Sequence, residues 1–571
     1  MKAIVLRLAG PLTLLWMAVM LGLTLTPAKD MPRTPEWQLL SFDTAAHAGV
    51  FAVLAGLAWL WARPHRRHPA SMVLLGSIAF GALIEVLQYA MQLGRHAEWT
   101  DLLSDTIGAA LVLAGASLAG RRRGLGTSAG LALLLLLPGH ASAQAASTGP
   151  DLARARRTIV ELASEKMHGR GYVQQGEHQA AAYLRGRLQQ LGLAPLAPDY
   201  TQPFTLDVNT FPGKMALTVA GERLLPGRDF IAAPASAAQP RAQHYRLEPL
   251  DTLVFSDTTI VRRYLAGLRG VIPGAKVTPW VTGYLPSAWV LRARDEARLP
   301  TLPLALQQLL AESGPRLVLM PKLTASLASA KAAQVRLEVL ASRWAQLPSA
   351  TTATIQLDAR LRRSYQTQNL AAMIKGTAQP DSFLVVSAHY DHLGMMGRTT
   401  YFPGANDNAS GVALLLELAA HYARPENRPA CSVVFLLFGA EEAGLVGSSY
   451  FVRHPLVPLA SIKFLLNLDL LGTGEEGATV VNGRVYEHAF TRLTALNDAH
   501  HYLPRLTARG RAANSDHFPF SEAGVPAFFL YTRGGSQAYH DVNDRPAALS
   551  LAGFAGAFGL ARDFLDGLGA R

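Results

Sequence analysis

The sequence predicts two unlike halves: a multi-pass α-helical membrane bundle, then an α/β/α domain with a mostly parallel central sheet and an inserted β-containing subdomain. Three observations predict this. Half of the residues are hydrophobic, and the excess is concentrated before residue 140. The last third alternates apolar runs with segments of helical period, the pattern of a parallel sheet covered on both faces. From about 205 to 355 that alternation gives way to Pro-, Ala-, Leu- and Arg-rich sequence with short β-like runs. At 571 residues the chain suggests two or three domains.

The expected boundaries are 1–120 for the bundle, 121–150 for a further apolar segment and linker, and 151–571 for the α/β domain, with its insertion at about 205–355. Four apolar stretches lie near 9–27, 45–62, 71–91 and 102–119, each about long enough to cross a bilayer as a helix. Lys2 and Arg7 precede the first, Arg63–His68 joins the second to the third, and Arg121-Arg122-Arg123 follows the fourth. The positive-inside rule then puts both ends of the bundle in the cytoplasm. Asp43 and His47 open the second stretch, while Glu85 and Gln88 lie one turn apart in the third. Such groups either pair to hold a bundle together or mark a functional site. The run Gly81-Ala82-Leu83-Ile84-Glu85-Val86-Leu87-Gln88, then Gly94-Arg95, then Asp101-Leu102-Leu103-Ser104-Asp105-Thr106-Ile107-Gly108, resembles the VanZ-like membrane family over roughly residues 10–120.

After the arginine triplet, an apolar core through Leu137 ends in Ala141-Ser142-Ala143, a signal-peptide pattern. The segment either stays as a tether or is cleaved after Ala143. Both readings put the chain beyond residue 150 outside the cytoplasm, at the bacterial inner membrane on its periplasmic side. The bilayer is the partner expected for residues 1–120; protein partners are not readable. The formal charge of +12 does not indicate nucleic acid, because its clusters flank apolar segments and no aromatic-interleaved basic patch is present. Cys431, the single cysteine, excludes an intrachain disulfide and opens a buried-strand pattern, where it reads as a small core hydrophobe.

In the second half, residues 151–195 read as two amphipathic helices around Gly169-Arg170-Gly171. Strands are expected at Phe383–Ser387, Val433–Phe438, Phe464–Leu468 and Pro526–Tyr531, with helices at Gly411–Ala419 and along Phe554, Phe558 and Leu565. In the insertion, short strands are expected at Leu253–Phe255 and Arg316–Met320.

Five motifs fall at or just after those strands: Ser387-Ala388-His389-Tyr390-Asp391-His392, Gly404-Ala405-Asn406-Asp407-Asn408, Ala440-Glu441-Glu442-Ala443-Gly444, Asn467-Leu468-Asp469 and Tyr539-His540-Asp541-Val542-Asn543-Asp544. Open α/β sheets build their sites at strand carboxyl ends. Zinc takes imidazole nitrogen and carboxylate oxygen, and a catalytic ion keeps a position for water. Two histidines, three ligand carboxylates and a spare carboxylate meet the needs of a two-metal site. Nitrogen and oxygen donors also accept manganese or cobalt.

In order and spacing the motifs resemble the co-catalytic zinc aminopeptidase family, the bacterial leucyl aminopeptidase and glutamate carboxypeptidase type of metallopeptidase, over 151–204 and 356–571. The resemblance implies two Zn2+ ions bridged by Asp407, one completed by His389 and Asp469, the other by Glu442 and His540. Glu441 would take a proton from the attacking water and pass it to the leaving amine. Asp391 would orient His389, and Asp544 would do likewise near His540. His517 would polarise the scissile carbonyl, since Ala508–Asn514 lacks the tyrosine that some members carry there. His392 and Asp541 are not at ligand positions.

The function implied is a membrane-linked exopeptidase acting on peptides, an aminopeptidase first. A carboxypeptidase, with Arg533 taking the substrate carboxylate, and a catalytically inactive receptor or scaffold are the alternatives.

Overall fold

A computed structural model describes residues 2–24, 42–62, 69–91, 106, 109–110, 112–113, 149–262, 286–348 and 351–569. The chain forms two compact units, Met1–Ala145 and Ala146–Arg571.

The first unit contains α1 (Lys2–Thr24), α2 (Phe42–Ala62) and α3 (Pro69–Met91). They overturn the expected membrane bundle: among the described residues, no helix is long and apolar enough to cross a membrane. Apolar composition reports avoidance of water and does not by itself say whether a helix face meets lipid or another helix. Here α1 holds Pro11 in its interior, and part of the apolar content is used between helices. Met20, Phe51, Leu54, Phe80 and Ile84 make a small core, with the Phe51 and Phe80 rings 6.2 Å apart. The segment through Ala143, together with Arg95, Asp101 and Asp105, lies outside the described residues, as does most of 102–119. So do the side chains of Asp43, His47, Glu85 and Gln88.

The second unit opens with α4 (Leu152–Leu162), capped by the Asp151 carboxylate accepting the Arg154 N–H at 2.8 Å, and α5 (Gly176–Gln190). Ala180, Ala181, Leu184 and Leu188 of α5 are buried against the sheet. That sheet has nine strands: β1 (Ala194–Pro195), β2 (Thr201–Thr210), β3 (Arg360–Ile374), β4 (Gln379–His389), β5 (Cys431–Phe438), β6 (Ile462–Leu468), β7 (Gly477–Val481), β8 (Leu506–Ala508) and β9 (Ala527–Arg533). Their order is β1-β3-β5-β4-β6-β9-β7-β8, with β2 also paired to β3.

The sheet is mixed, not mostly parallel. Strands β5, β4, β6 and β9 form a parallel centre, and β7 runs parallel to β8. However, β3 is antiparallel to β1, β2 and β5, and β7 to β9. Hydrophobic alternation marks a strand as buried but not its direction, and β3 begins with polar residues that hide it in the sequence. Alternate side chains of β4 and β5 feed two cores. Leu384, Val386, Val433 and Phe435 pack with the helices of one face, while Val385, Val434, Leu436 and Phe438 pack with Phe451 and Phe520 on the other. Each large side chain so buried contributes roughly 1.5–3 kcal/mol.

Between β2 and β3 the chain builds a second sheet of eight strands with its own core, including Leu217, Phe230, Leu317, Val339 and Ile355. Arg316–Met320 is one of its strands. Leu253–Phe255 is not: the Asp251 carboxylate accepts the Leu253 N–H at 3.0 Å and winds Thr252–Phe255 into a 3-10 turn.

Gly171 passes against the backbone of Gly394 so closely that a Cβ would collide with its Cα and N. Gly171→Ala should therefore lower the stability of the second unit by about 1–3 kcal/mol, read from urea denaturation.

Candidate metal centre

Four parallel strands, through their carboxyl ends and the loops that follow, and one further loop ahead of a helix deliver the chemistry to a single point. His389 is the last residue of β4, Glu441 and Glu442 follow β5, Asp469 follows β6, and His540 lies in the loop after β9. Asp407 comes from a tight loop, Ala405–Ser410, ahead of helix Gly411–Tyr422, and its peptide bond to Asn408 is cis.

The backbone of that loop is fixed from both sides. Arg170 is fully buried, and its guanidinium donates to five carbonyls: Leu162 (2.9 Å), Tyr390 (2.8 Å), Pro403 (2.7 Å), Gly404 (2.8 Å) and Asp407 (3.0 Å). Burial lowers its pKa to about 10, still well above neutrality. From the other side, the Asp544 carboxylate accepts the N–H groups of Asn406 at 2.9 Å and Asp407 at 3.0 Å. Asp544 thus orders the Asp407 loop, whereas a role beside His540 was expected.

The Asp407 carboxylate is then shared. Its Oδ1 lies 3.3 Å from His389 Nε2, which is also 3.4 Å from Asp469 Oδ1. Its Oδ2 lies 3.1 Å from His540 Nε2, which is also 3.1 Å from Glu442 Oε2. The five predicted ligands come together in two sets that meet at Asp407. Glu441 offers an oxygen on the His389–Asp469 side, within 4.8 Å of both partners.

Each histidine is oriented by a backbone carbonyl. His389 Nδ1 lies 3.3 Å from the Asp391 carbonyl oxygen and 3.8 Å from its carboxylate. That carboxylate instead accepts the N–H groups of Glu441 at 3.0 Å and Glu442 at 3.4 Å, holding the adjacent glutamates in place. His540 Nδ1 donates to the Ala325 carbonyl at 3.0 Å, and the Ala325 N–H returns a bond to the His540 carbonyl at 2.9 Å. Ala325 belongs to the insertion. Behind Asp469 runs a chain of hydrogen bonds: Ser387 Oγ to Asn467 Oδ1 (2.8 Å), Asn467 Nδ2 to Ser515 Oγ (2.8 Å), and Ser515 Oγ to Asp469 Oδ2 (2.9 Å).

Electrostatics follow from burial and crowding. Burial pulls the His540 pKa down, but Glu442 and Asp407 overcome it and hold the imidazolium to about 11. His389 is likewise raised well above its ordinary value, against burial, by Asp469, Glu441 and Asp407. Glu442 falls to about 2 despite burial, held ionised by His540 and His392. Glu441 goes the other way: burial, reinforced by Asp516, Glu442 and Asp469, pushes it well above the carboxylate range. Left to themselves, the two imidazoles supply the positive charge that these carboxylates need. Asp469 Oδ1 is buried and accepts no hydrogen bond among the described residues, with the His389 imidazole 3.4 Å away as its ionic neighbour. Imidazole nitrogens and ionised carboxylates at this spacing suit divalent zinc, manganese or cobalt.

The ligand set opens into a cavity of about 440 Å³, lined by all five ligands and Glu441, with Arg509, Tyr531 and Tyr539 in its wall. Sequence reading passed over those three; the available signal was the position of Tyr539 next to His540, on whose ring it stacks at 4.0 Å. It also passed over His392, whose Nδ1 lies 2.6 Å from Glu442 Oε1 and which forms a group with Asp407 and Glu442. His517 is fully buried, stands outside the cavity lining, and has a pKa lowered by burial to about 4. Its ring packs 5.6 Å from that of Phe529. Arg533 also stands outside the lining and faces Glu476 at 3.4 Å.

Residues 369–564 match Peptidase family M28, and residues 11–120 match VanZ/LLP1. Aminopeptidase YwaD of Bacillus subtilis is 33% identical over 184 residues, 30% of this chain and 38% of that protein. A probable zinc metalloprotease of Pyricularia oryzae is 41% identical over 113 residues, 19% of this chain and 22% of that protein. The chain spans less than half the length of these curated relatives. Among solved structures, BSAP, a zinc aminopeptidase from Bacillus subtilis, superposes with a TM-score of 0.52 at 19% identity, covering 72% of this chain and 93% of that one. A peptidase M28 precursor from Shewanella amazonensis gives 0.52 at 16% identity, covering 73% and 95%. At these identities the structural likeness is one of fold. With the match to Peptidase family M28 spanning every candidate ligand described above, the chain carries a Peptidase family M28 domain at residues 369–564, following a VanZ/LLP1 domain at residues 11–120 in the sequence.

Proposed function

We propose that the chain is a two-zinc aminopeptidase that removes N-terminal residues from peptides. One observation carries the reading: the two oxygens of Asp407 face different histidines, and each histidine has its own acidic partner, Asp469 or Glu442. His389, Asp469 and Asp407 would hold one ion, and Glu442, His540 and Asp407 the other. When bound, such ions would supply Lewis acidity and lower the pKa of a bound water.

The remaining work belongs to side chains of this protein. One nitrogen and two oxygens already serve the His389 side, which leaves Glu441 as a base and not a ligand. Its carboxylate lines the cavity within 4.8 Å of the His389 and Asp469 donor atoms, where it would take a proton from the attacking water and pass it to the leaving amine. The amides bound to Asp391 keep Glu441 and Glu442 apart in role, one facing the cavity and one clamped by His392 and His540. The carboxypeptidase alternative loses its expected cation, because Arg533 lies outside the cavity lining and faces Glu476.

The polarity is tested with blocked dipeptides. A dipeptide amidated at its carboxyl end should be cleaved and an N-acetylated one should not; the opposite result would make the chain a carboxypeptidase. Glu441→Gln should cut turnover by roughly 10²–10⁴-fold while metal content stays at the wild-type level. An unchanged rate would instead leave a scaffold. Because His389 and His540 hold protons that a cation must expel, zinc affinity should rise as pH is raised from mildly acidic to neutral. The chelator concentration needed to strip the metal measures it.

A further inference from the structure

The cavity is rich in acid, yet its wall contains a single lysine or arginine among the described residues, Arg509. Its position is fixed by the sheet. Arg509 directly follows β8, its N–H donates to the Val480 carbonyl at 2.9 Å, and its own carbonyl accepts the Arg484 N–H at 3.1 Å. The guanidinium is exposed, and Nη1 donates to the Tyr531 hydroxyl at 3.1 Å, a neutral partner that holds the fork without cancelling its charge. The neighbouring arginines differ. Arg511 is paired with Glu522 and Arg533 with Glu476.

A guanidinium fork presents parallel N–H donors that match a carboxylate. Arg509 forms no ion pair with a carboxylate among the described residues, and its one side-chain partner is neutral, so its remaining donors are left to meet something that enters the cavity. At about 440 Å³ the cavity is at the small end of ligand sites, suited to a short peptide. We propose that Arg509 is the subsite cation for a carboxylate carried by the substrate, so the chain favours short peptides whose free C-terminus, or an acidic side chain, reaches it. This rests on the aminopeptidase reading.

The test uses the full-length, zinc-loaded chain with a leucyl dipeptide, its C-terminal amide, and the p-nitroanilides of leucine and glutamate. In Arg509→Ala, KM for the free dipeptide should rise about tenfold or more, the loss of one charge-assisted hydrogen bond, with kcat within about twofold. The amide and the leucine anilide should be unaffected, and Arg509→Lys should recover part of the loss. A rise in KM confined to the glutamate anilide also supports the proposal and assigns the carboxylate to the side chain. Equal loss on charged and uncharged substrates, or none on any, against an active wild type, overturns it while leaving the aminopeptidase reading intact. A wild type inactive on every free-amine substrate overturns both.

Discussion

The site depends on how one buried arginine is satisfied. Arg170 has five N–H donors and no carboxylate among its partners; each donor side is taken up by backbone carbonyls from three separate parts of the chain. Those carbonyls belong to the end of α4, the turn after β4, and the loop that bears Asp407. Leaving such groups buried and unpaired would cost about 1–3 kcal/mol each, so the arrangement is strongly specified. Asp544 performs the converse task, accepting the N–H groups of the same loop. With donors met on one side and acceptors on the other, the loop has little freedom to move Asp407.

Once Asp407 is placed, the other ligands follow from strand geometry. Parallel β5, β4 and β6 end side by side, so the residues after them converge above one sheet edge. The imidazoles are turned by main-chain oxygens of Asp391 and Ala325. That leaves the Asp391 carboxylate free to grip the amides of both glutamates, and adjacent residues of one turn take up different environments. Glu442, against two histidines, stays ionised; Glu441, against other acids, is driven towards its neutral form.

Three of the five candidate ligands were legible in the sequence because His389, Glu442 and Asp469 stand at or just after apolar runs that alternation reveals, whereas Asp407 and His540 lie in loops. What alternation cannot reveal is who pairs with whom. Gly169-Arg170-Gly171 stood out as a break between helices, but its five partners lie as far as Asp407 in the chain. His392 looked like a bystander three residues from His389, since only the folded turn brings it to Glu442. The antiparallel flanks escaped notice because β3 starts with polar residues and β7 has only five. In the first unit, apolar content was read as bilayer-spanning length, although part of it packs helix against helix.

The bond pair between His540 and Ala325 has an evolutionary corollary. On the insertion's side both bonds are made by main-chain atoms, so the side chain at position 325 is irrelevant to them. The eight-stranded insertion is therefore at liberty to diverge in sequence while its outline endures. It is not at liberty to disappear. A lineage, or a protein engineer, paring this chain down to the nine-stranded sheet would remove the Ala325 partner of the His540 ring, so the smallest unit that keeps the site is larger than the five motifs alone suggest.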